Sequence, residues 1–248
     1  MSNYIIESKA NQFRVQNGLG TNDPIRLKSF LSKLDCLVIF KPLSEEFSGM
    51  ALKVEHQNQI NRFILVNNKH SLGKQHFTIC HEIYHLYIQK QFSSMFCKTG
   101  IFDKKDKEEF NADYFAVVFL LPETGVKSLI PDHELKKDGI SLKTILQIEQ
   151  YYSCSRAALL YRLQDLNLLS KDKALNYKDS IKLNALQYGY DTSLYTSGNT
   201  NLVIGNYSEI ALRLYNEQTI SETYYYTLLK DLGLSNEQLQ IIMNGKED

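Results

Sequence analysis

The chain has 248 residues, 43% of them hydrophobic and 23% charged, which is ordinary for one large or two small globular domains. Its 28 Lys and Arg residues balance 28 Asp and Glu residues, and this zero net charge argues against nucleic-acid binding driven by overall charge. The four cysteines have no paired spacing, which is typical of reduced thiols and predicts a cytoplasmic protein. The start of the chain lacks a signal peptide's apolar segment, and no apolar run reaches about 18 residues, so we expect no membrane span.

The first third of the chain is predicted to hold two helices followed by three strands. Apolar spacing places the helices at 3–17 and 24–34, the second with Asp23 as its N-cap and Pro24 in its first turn. The strands are short and are expected at 36–40, 49–54 and 62–66, with a turn between the last two.

The motif HEIYH, at residues 81–85, lies in a stretch whose apolar residues follow a helical period. On a helix His81 and His85 share a face, so two imidazoles can reach one cation. Glu82 is rotated by about 100° from His81, where a general base for an attacking water should stand. The alternative is a pair of core histidines satisfied by backbone carbonyls, but burying two histidines and a carboxylate is costly unless something binds them.

A second helix, predicted at 107–121, offers the further ligand that such a metal site needs. Glu109 and Asp113 are four residues apart and share a face, so we interpret Glu109 as the third ligand. Asp113 is then an acceptor for the free ring N–H of a ligand histidine, most simply His81. The alternative is a solvated charge run, since residues 103–109 are charged almost throughout.

The rest of the chain is expected to be mostly helical. A mobile loop is expected at 92–105, and a helix pair at 141–166 has Ser141 and Ser155 as N-caps. This pair resembles a helix-turn-helix, but Arg156 and Arg162 make a thin basic surface, so packing against the core is the favoured interpretation. Residues 171–248 form a Tyr-rich extension whose last two helices begin at serines, the final one with a capping box.

Three stretches, in order, resemble the ImmA/IrrE family of metallopeptidases. They are the strand RFILVNN, which ends in Asn, the helix HFTICHEIYHLYI, and the helix EEFNADYFAVVFLLP. The resemblance covers roughly residues 5–165. Two positions depart from the family pattern, because Tyr84 replaces a frequent Gly and His76 stands where a basic residue is common. Neither departure touches a proposed ligand.

The elements and the resemblance together predict an α+β fold. A short twisted sheet of about three strands packs on the active-site helix, helices surround it, and a helical extension follows. We expect a metallopeptidase domain at 1–170 and the extension at 171–248. The resemblance implies that a sheet edge beside the site pairs with an extended substrate, with 49–52 and 63–67 as candidates, although a plain interior strand is an equally good interpretation of either.

The first functional hypothesis is a zinc-dependent endopeptidase. Zn²⁺ would be held by His81, His85 and Glu109, with Glu82 as the catalytic base, although manganese or iron could occupy such a site. His76 and Tyr84 are candidate oxyanion or substrate donors. The resemblance implies that the substrate is a helix-turn-helix transcriptional repressor, whose cleavage switches on genes of mobile elements, stress responses or defence.

Two other functions are compatible with the sequence. The chain could be a non-proteolytic, metal-containing binding module of a toxin–antitoxin or regulatory pair that sequesters a repressor. Glu82 distinguishes this hypothesis from the first, because a structural metal site has no need of a general base. A transcription factor that uses the helix pair at 141–166 is a third possibility, and the zero net charge argues against direct nucleic-acid binding.

Overall fold

The computed structural model describes residues 2–56, 59–92, 94–97, 99–100, 102 and 105–245. The helices are α1 Asn3–Gln16, α2 Leu27–Leu31, α3 Leu72–Ile83, α4 Lys107–Leu120, α5 Glu123–Ser128, α6 Leu142–Tyr152, α7 Arg156–Asp165, α8 Lys171–Leu175, α9 Ile181–Gln187, α10 Tyr207–Asn216, α11 Glu222–Asp231 and α12 Asn236–Asn244. A π-helical turn spans Tyr84–Ile88, and short 3-10 helices span Asp132–Glu134 and Ser193–Tyr195. The strands are β1 Leu37–Lys41, β2 Gly49–His56, β3 Gln59–Asn67, β4 Ser94–Cys97 and β5 Val203–Ile204.

The sheet is mixed and has the strand order β4-β2-β3-β1-β5. β1 and β3 are parallel, with Phe40 opposite Val66, and the other pairs are antiparallel. The α+β fold is therefore confirmed. The sheet is larger than the three strands expected, because β4 joins from the predicted loop at 92–105 and β5 joins from the C-terminal extension. Residues 93, 98, 101 and 103–104 of that loop lie outside the described residues.

Neither strand proposed as the substrate-pairing edge lies at an edge of the sheet. β2 pairs with β3 on one side and β4 on the other, and β3 lies between β2 and β1. The edge interpretation of 49–52 and 63–67 was wrong and the alternative of an interior strand was right, because β4 covers Gly49 to Leu52 and β1 covers Phe63 to Asn67. Among the described strands, the edge beside β2 is β4.

The core lies between the sheet, α3 and α4. α3 packs on β2 and β3, and α4 packs between α3 and α1. Every residue of α4 from Asn111 to Leu120 is buried, so this helix is covered on all sides, as its apolar composition predicts. Stacked Phe115 and Phe119, with ring centroids 5.3 Å apart, meet Phe13 of α1 and fill the space behind the site helices.

The helix pair at 141–166 packs against this core, as expected. Ser141 and Ser155 cap α6 and α7 by accepting the backbone N–H groups three residues ahead. Arg156 is buried in an ion pair with Glu149, and buried Arg162 donates to Asp165 and to the carbonyl of Leu121. Both arginines therefore join elements together and do not form a basic surface.

The start of the second helix differs from the prediction. α2 begins at Leu27, and Arg26 occupies the cap position assigned to Asp23. The reason is a side-chain contact, because the buried guanidinium of Arg14 binds the carbonyl oxygens of Gly20 and Asp23. The Asp23 carbonyl is thus held by α1, and the chain from 20 to 26 stays outside the helix.

The C-terminal extension contacts the first part of the chain at the sheet and at α3. β5 pairs with β1, and the backbone N–H of Leu72 donates to the Thr196 carbonyl over 2.8 Å. Helices α10, α11 and α12 also enclose a small core of their own around Tyr225 and Leu229, and the predicted capping box at Ser235 is present. The division of the chain at residue 170 stays a prediction.

Within the described residues, no helix is long and apolar enough to cross a membrane.

Candidate metal centre

The HEIYH motif lies where α3 passes into the π-helical turn. The backbone N–H of Gln89 donates to the Tyr84 carbonyl over 2.9 Å, a bond that spans five residues. Such turns are rare in proteins, and those that occur are often found at functional sites. His81 therefore stands on regular helix and His85 inside the π turn, and both side chains are fully buried.

Three side chains converge beside this turn. Nε2 of His81 and Nε2 of His85 lie 3.1 Å apart. The carboxylate of Glu109, on α4, places one oxygen 3.3 Å from the first of these nitrogens and the other oxygen 3.2 Å from the second. Glu109 keeps 18% of its side chain exposed, so the group opens to solvent on the α4 side.

Each histidine is held by an acceptor at its other ring nitrogen. Nδ1 of His81 lies 2.9 Å from Oδ1 of Asp113, and Nδ1 of His85 lies 2.6 Å from Oε1 of Gln89. Both acceptors require a proton on Nδ1, so in the neutral rings the two Nε2 lone pairs face each other and the carboxylate of Glu109. Sequence reasoning did not identify Gln89, although its position four residues after His85 was a usable signal.

This donor set fits a metal ion. Four-coordinate zinc with bonds of about 2.0–2.1 Å has neighbouring ligand atoms roughly 3.3 Å apart, close to the separations found here. A cation also removes the repulsion between two lone pairs and a carboxylate. A protonated ring would instead carry a hydrogen at Nε2 and could donate it to the Glu109 carboxylate. Burial raises the pKa of Glu109, but hydrogen bonds and charge from both histidines outweigh it and lower that pKa to about 2.

Asp113 binds more than the histidine. Besides His81, its carboxylate accepts the backbone N–H groups of Gly100 and Phe102, each over 2.8 Å. Asp113 is itself almost fully buried. One carboxylate on α4 therefore orients a ring on α3 and fixes the segment between the two helices.

Hydrogen bonds at the N-terminus of α4 fix the backbone from which Glu109 extends. Asp106 caps the helix by accepting the backbone N–H groups of Glu108 and Glu109 over 3.1 and 3.2 Å. The neighbouring Glu108 accepts the hydroxyl of buried Tyr84 over 2.7 Å. Burial, with this hydrogen bond, raises the pKa of Tyr84 above its ordinary value. Tyr84 thus aims its hydroxyl at Glu108.

His76 is not brought into this group. Its Nδ1 lies 2.7 Å from the Ser153 carbonyl, in the turn between α6 and α7. Burial lowers the pKa of His76. The five residues that separate it from His81 turn it to another side of α3, so its ring links the helix to the α6–α7 turn.

Glu82 is fully buried beside β2. A Cβ atom at Gly49 would lie 2.5 Å from Cγ2 of Thr78 and 3.0 Å from Oε1 of Glu82. Only glycine fits there without displacing those side chains, so the strand backbone forms the wall behind the Glu82 carboxylate. Sequence reasoning missed Gly49, since nothing local relates it to a glutamate 33 positions later.

A comparison of the sequence with known families gives a match that includes this part of the chain. The family model Peptidase_M78, described as the IrrE N-terminal-like domain, matches residues 31–164, which is more than half of the chain. The matched segment contains both site helices. A search of curated proteins gives no significant match.

Proposed function

The chain belongs to the Peptidase_M78 family of metal-dependent peptidases, and from that premise we propose that it is a zinc-dependent endopeptidase. The observation that carries the proposal is the convergence of two Nε2 atoms and a carboxylate within 3.1–3.3 Å, with each imidazole held at Nδ1. His81, His85 and Glu109 would hold the ion. Nitrogen and carboxylate ligands in this number favour zinc.

Each residue of the group has its own role in the proposed reaction. When bound, a zinc ion supplies Lewis acidity, which lowers the pKa of water and polarises a carbonyl. Glu82 takes a proton from the attacking water and delivers it to the leaving amine nitrogen. Asp113 and Gln89 keep the histidine protons on Nδ1, so both Nε2 lone pairs stay available as ligands. The hydrogen bonds of His76 and Tyr84 point elsewhere, so the geometry supports neither as an oxyanion donor.

The substrate we propose is a helix-turn-helix transcriptional repressor, cut to release the genes that it represses. The motif resemblance described above supports this substrate class. A peptide segment can also add to the sheet, since β4 is an edge strand and lies against β2, whose Gly49 backs Glu82. Local unfolding of the repressor would expose such a segment.

The metal is tested by elemental analysis of purified wild type, Glu109→Gln and His85→Ala. We expect one tightly held zinc per chain in wild type and loss of it in both variants. His133→Ala is the matched control, because that imidazole is largely exposed and distant in sequence. Unfolding curves of each variant show whether the fold is kept. Wild type without metal after addition of zinc would refute the proposal.

The reaction is tested by mixing the protein with candidate helix-turn-helix repressors from the same genome. Wild type should cleave one of them, and Glu82→Gln should keep zinc but lose activity by about 10²–10⁴-fold, the range for removal of a general base. Equal de-repression by both proteins without cleavage would instead favour the sequestering module.

A further inference from the structure

A cavity lies apart from the group formed by His81, His85 and Glu109. It has a volume of about 760 Å³ and lies between the first half of α3, one side of α7 and the start of α9. Its wall is formed mainly by apolar and aromatic side chains, which are Phe77, Phe102, Leu160, Tyr161, Ile181 and Leu194. None of the three candidate metal ligands is among the residues found to line it. Cavities of roughly 300–1,000 Å³ are the usual size for small-molecule sites.

The charged side chains among the described lining residues of this cavity have one sign. Lys74, Lys178 and Lys182 line it, whereas the described lining contains no Asp or Glu. The remaining cation, Arg156, is already paired with Glu149. Burial lowers the pKa of Lys74, which an anion beside it would offset. The lining is therefore complementary to a molecule with an apolar body and a negative group.

One wall of the cavity also holds the metal-binding group in place. The Phe102 ring stacks on Tyr161 of α7, with centroids 3.7 Å apart. The backbone N–H groups of Phe102 and Gly100, which both line the cavity, donate to Asp113. Asp113 in turn orients His81. A ligand that displaces Phe102 from Tyr161 would therefore disturb the hydrogen bonds on Asp113.

We infer that this cavity binds a small molecule with an aromatic or acyl body and one anionic group, and that its occupancy changes zinc affinity through Asp113. The coupling rests on the proposed function, whereas ligand binding does not. The occupant is a small molecule because a volume of about 760 Å³, apolar walls and a cationic rim are typical of small-molecule sites. By linkage, zinc must change the affinity for the ligand by the same factor.

Binding is measured on the full-length, metal-free chain with the fluorescent probe anilinonaphthalene sulfonate. We expect saturable binding, and weaker binding of phenylnaphthylamine, which has the same rings without the sulfonate. Lys178→Glu/Lys182→Glu should weaken sulfonate binding by about tenfold, which corresponds to about 1.4 kcal/mol. Lys143→Glu/Lys171→Glu, at exposed helix positions outside the lining, is the matched control.

A steric variant locates the probe. Ala157 is exposed on α7 and lines the cavity, so Ala157→Trp should fill it from the mouth and abolish binding. Gln147→Trp on the exposed side of α6 is the control and should bind normally. Probe binding that is unchanged by Ala157→Trp and by the lysine reversals would overturn the inference, because the probe would then be on another surface.

Coupling is measured as the zinc dissociation constant, by chelator competition, with and without saturating probe. We expect a shift of about fivefold or more, within the usual range for coupled sites, and its loss in Phe102→Ala. An unchanged zinc affinity at saturation would overturn the coupling. If wild type binds no zinc, the proposed function fails separately, and the probe titration still decides the ligand site.

Discussion

His81 and Asp113 are joined by a hydrogen bond of 2.9 Å between Nδ1 and Oδ1, and the same carboxylate holds two backbone N–H groups of the segment between α3 and α4. Asp113 therefore receives three donors on two oxygens while nearly fully buried. This arrangement makes the orientation of the His81 ring depend on the backbone of Gly100 and Phe102, which lie 13 and 11 residues before Asp113.

Asp113→Asn should weaken zinc binding by about 10–100-fold, the usual effect of changing a partner of a ligand histidine. The amide has one acceptor oxygen and a donor group, so it cannot accept all three N–H groups. Zinc affinity is measured by chelator competition. Asp172→Asn, at an exposed position in the first turn of α8, serves as the control. Wild-type affinity in Asp113→Asn would show that the hydrogen bond has no role in metal binding.

Gln89→Leu should lower zinc affinity by about tenfold, because Nδ1 of His85 loses its acceptor and the ring loses its fixed tautomer. Gln89→Glu keeps an acceptor oxygen at the same place and should retain zinc at least as well as wild type. Both variants are compared by the same chelator competition. Equal losses in the two variants would contradict the role of Gln89 as an acceptor.

Gly49→Ala should reduce both stability and peptidase activity, since the added Cβ meets Thr78 and the Glu82 carboxylate. The free energy of unfolding should fall by about 1–3 kcal/mol, the range for overpacking, as measured by denaturant titration. Thr78→Ser removes the methyl group at 2.5 Å and keeps the hydroxyl that donates to Lys74. The double variant should recover part of the stability but not the activity, because the contact with Glu82 remains. Recovery of full activity would refute the role of Gly49 as a wall for Glu82.

Asn67→Ala should destabilise the fold by about 2–4 kcal/mol, as expected when several buried polar groups lose their partners. The buried amide at the end of β3 donates to the carbonyls of Ser44 and Phe47 and accepts from the backbone of Leu43 and Lys69. Unfolding in denaturant measures the change. Asn61→Ala, on the exposed part of the same strand, is the control and should change stability by less than about 1 kcal/mol.

The features that the sequence predicted well depend on local geometry. Residues four apart on a helix share a face whatever surrounds them, so the pairing of His81 with His85 and of Glu109 with Asp113 could be derived from spacing alone. The serine caps of α6, α7 and α12 are local for the same reason. The structure brings those four site residues together as the spacing indicated.

The features that only the tertiary structure decided depend on contacts that helix or strand spacing does not set. Arg14 holds the Asp23 carbonyl and so moves the start of α2, and strands from two later segments enclose β1, β2 and β3. Gly49 meets Glu82, and His76 turns to Ser153, through packing that no spacing encodes. A periodic backbone repeats its geometry every turn, whereas contacts across the core depend on how all the elements fill one volume. The sequence by itself therefore determined the candidate ligands, and the packing determined their surroundings.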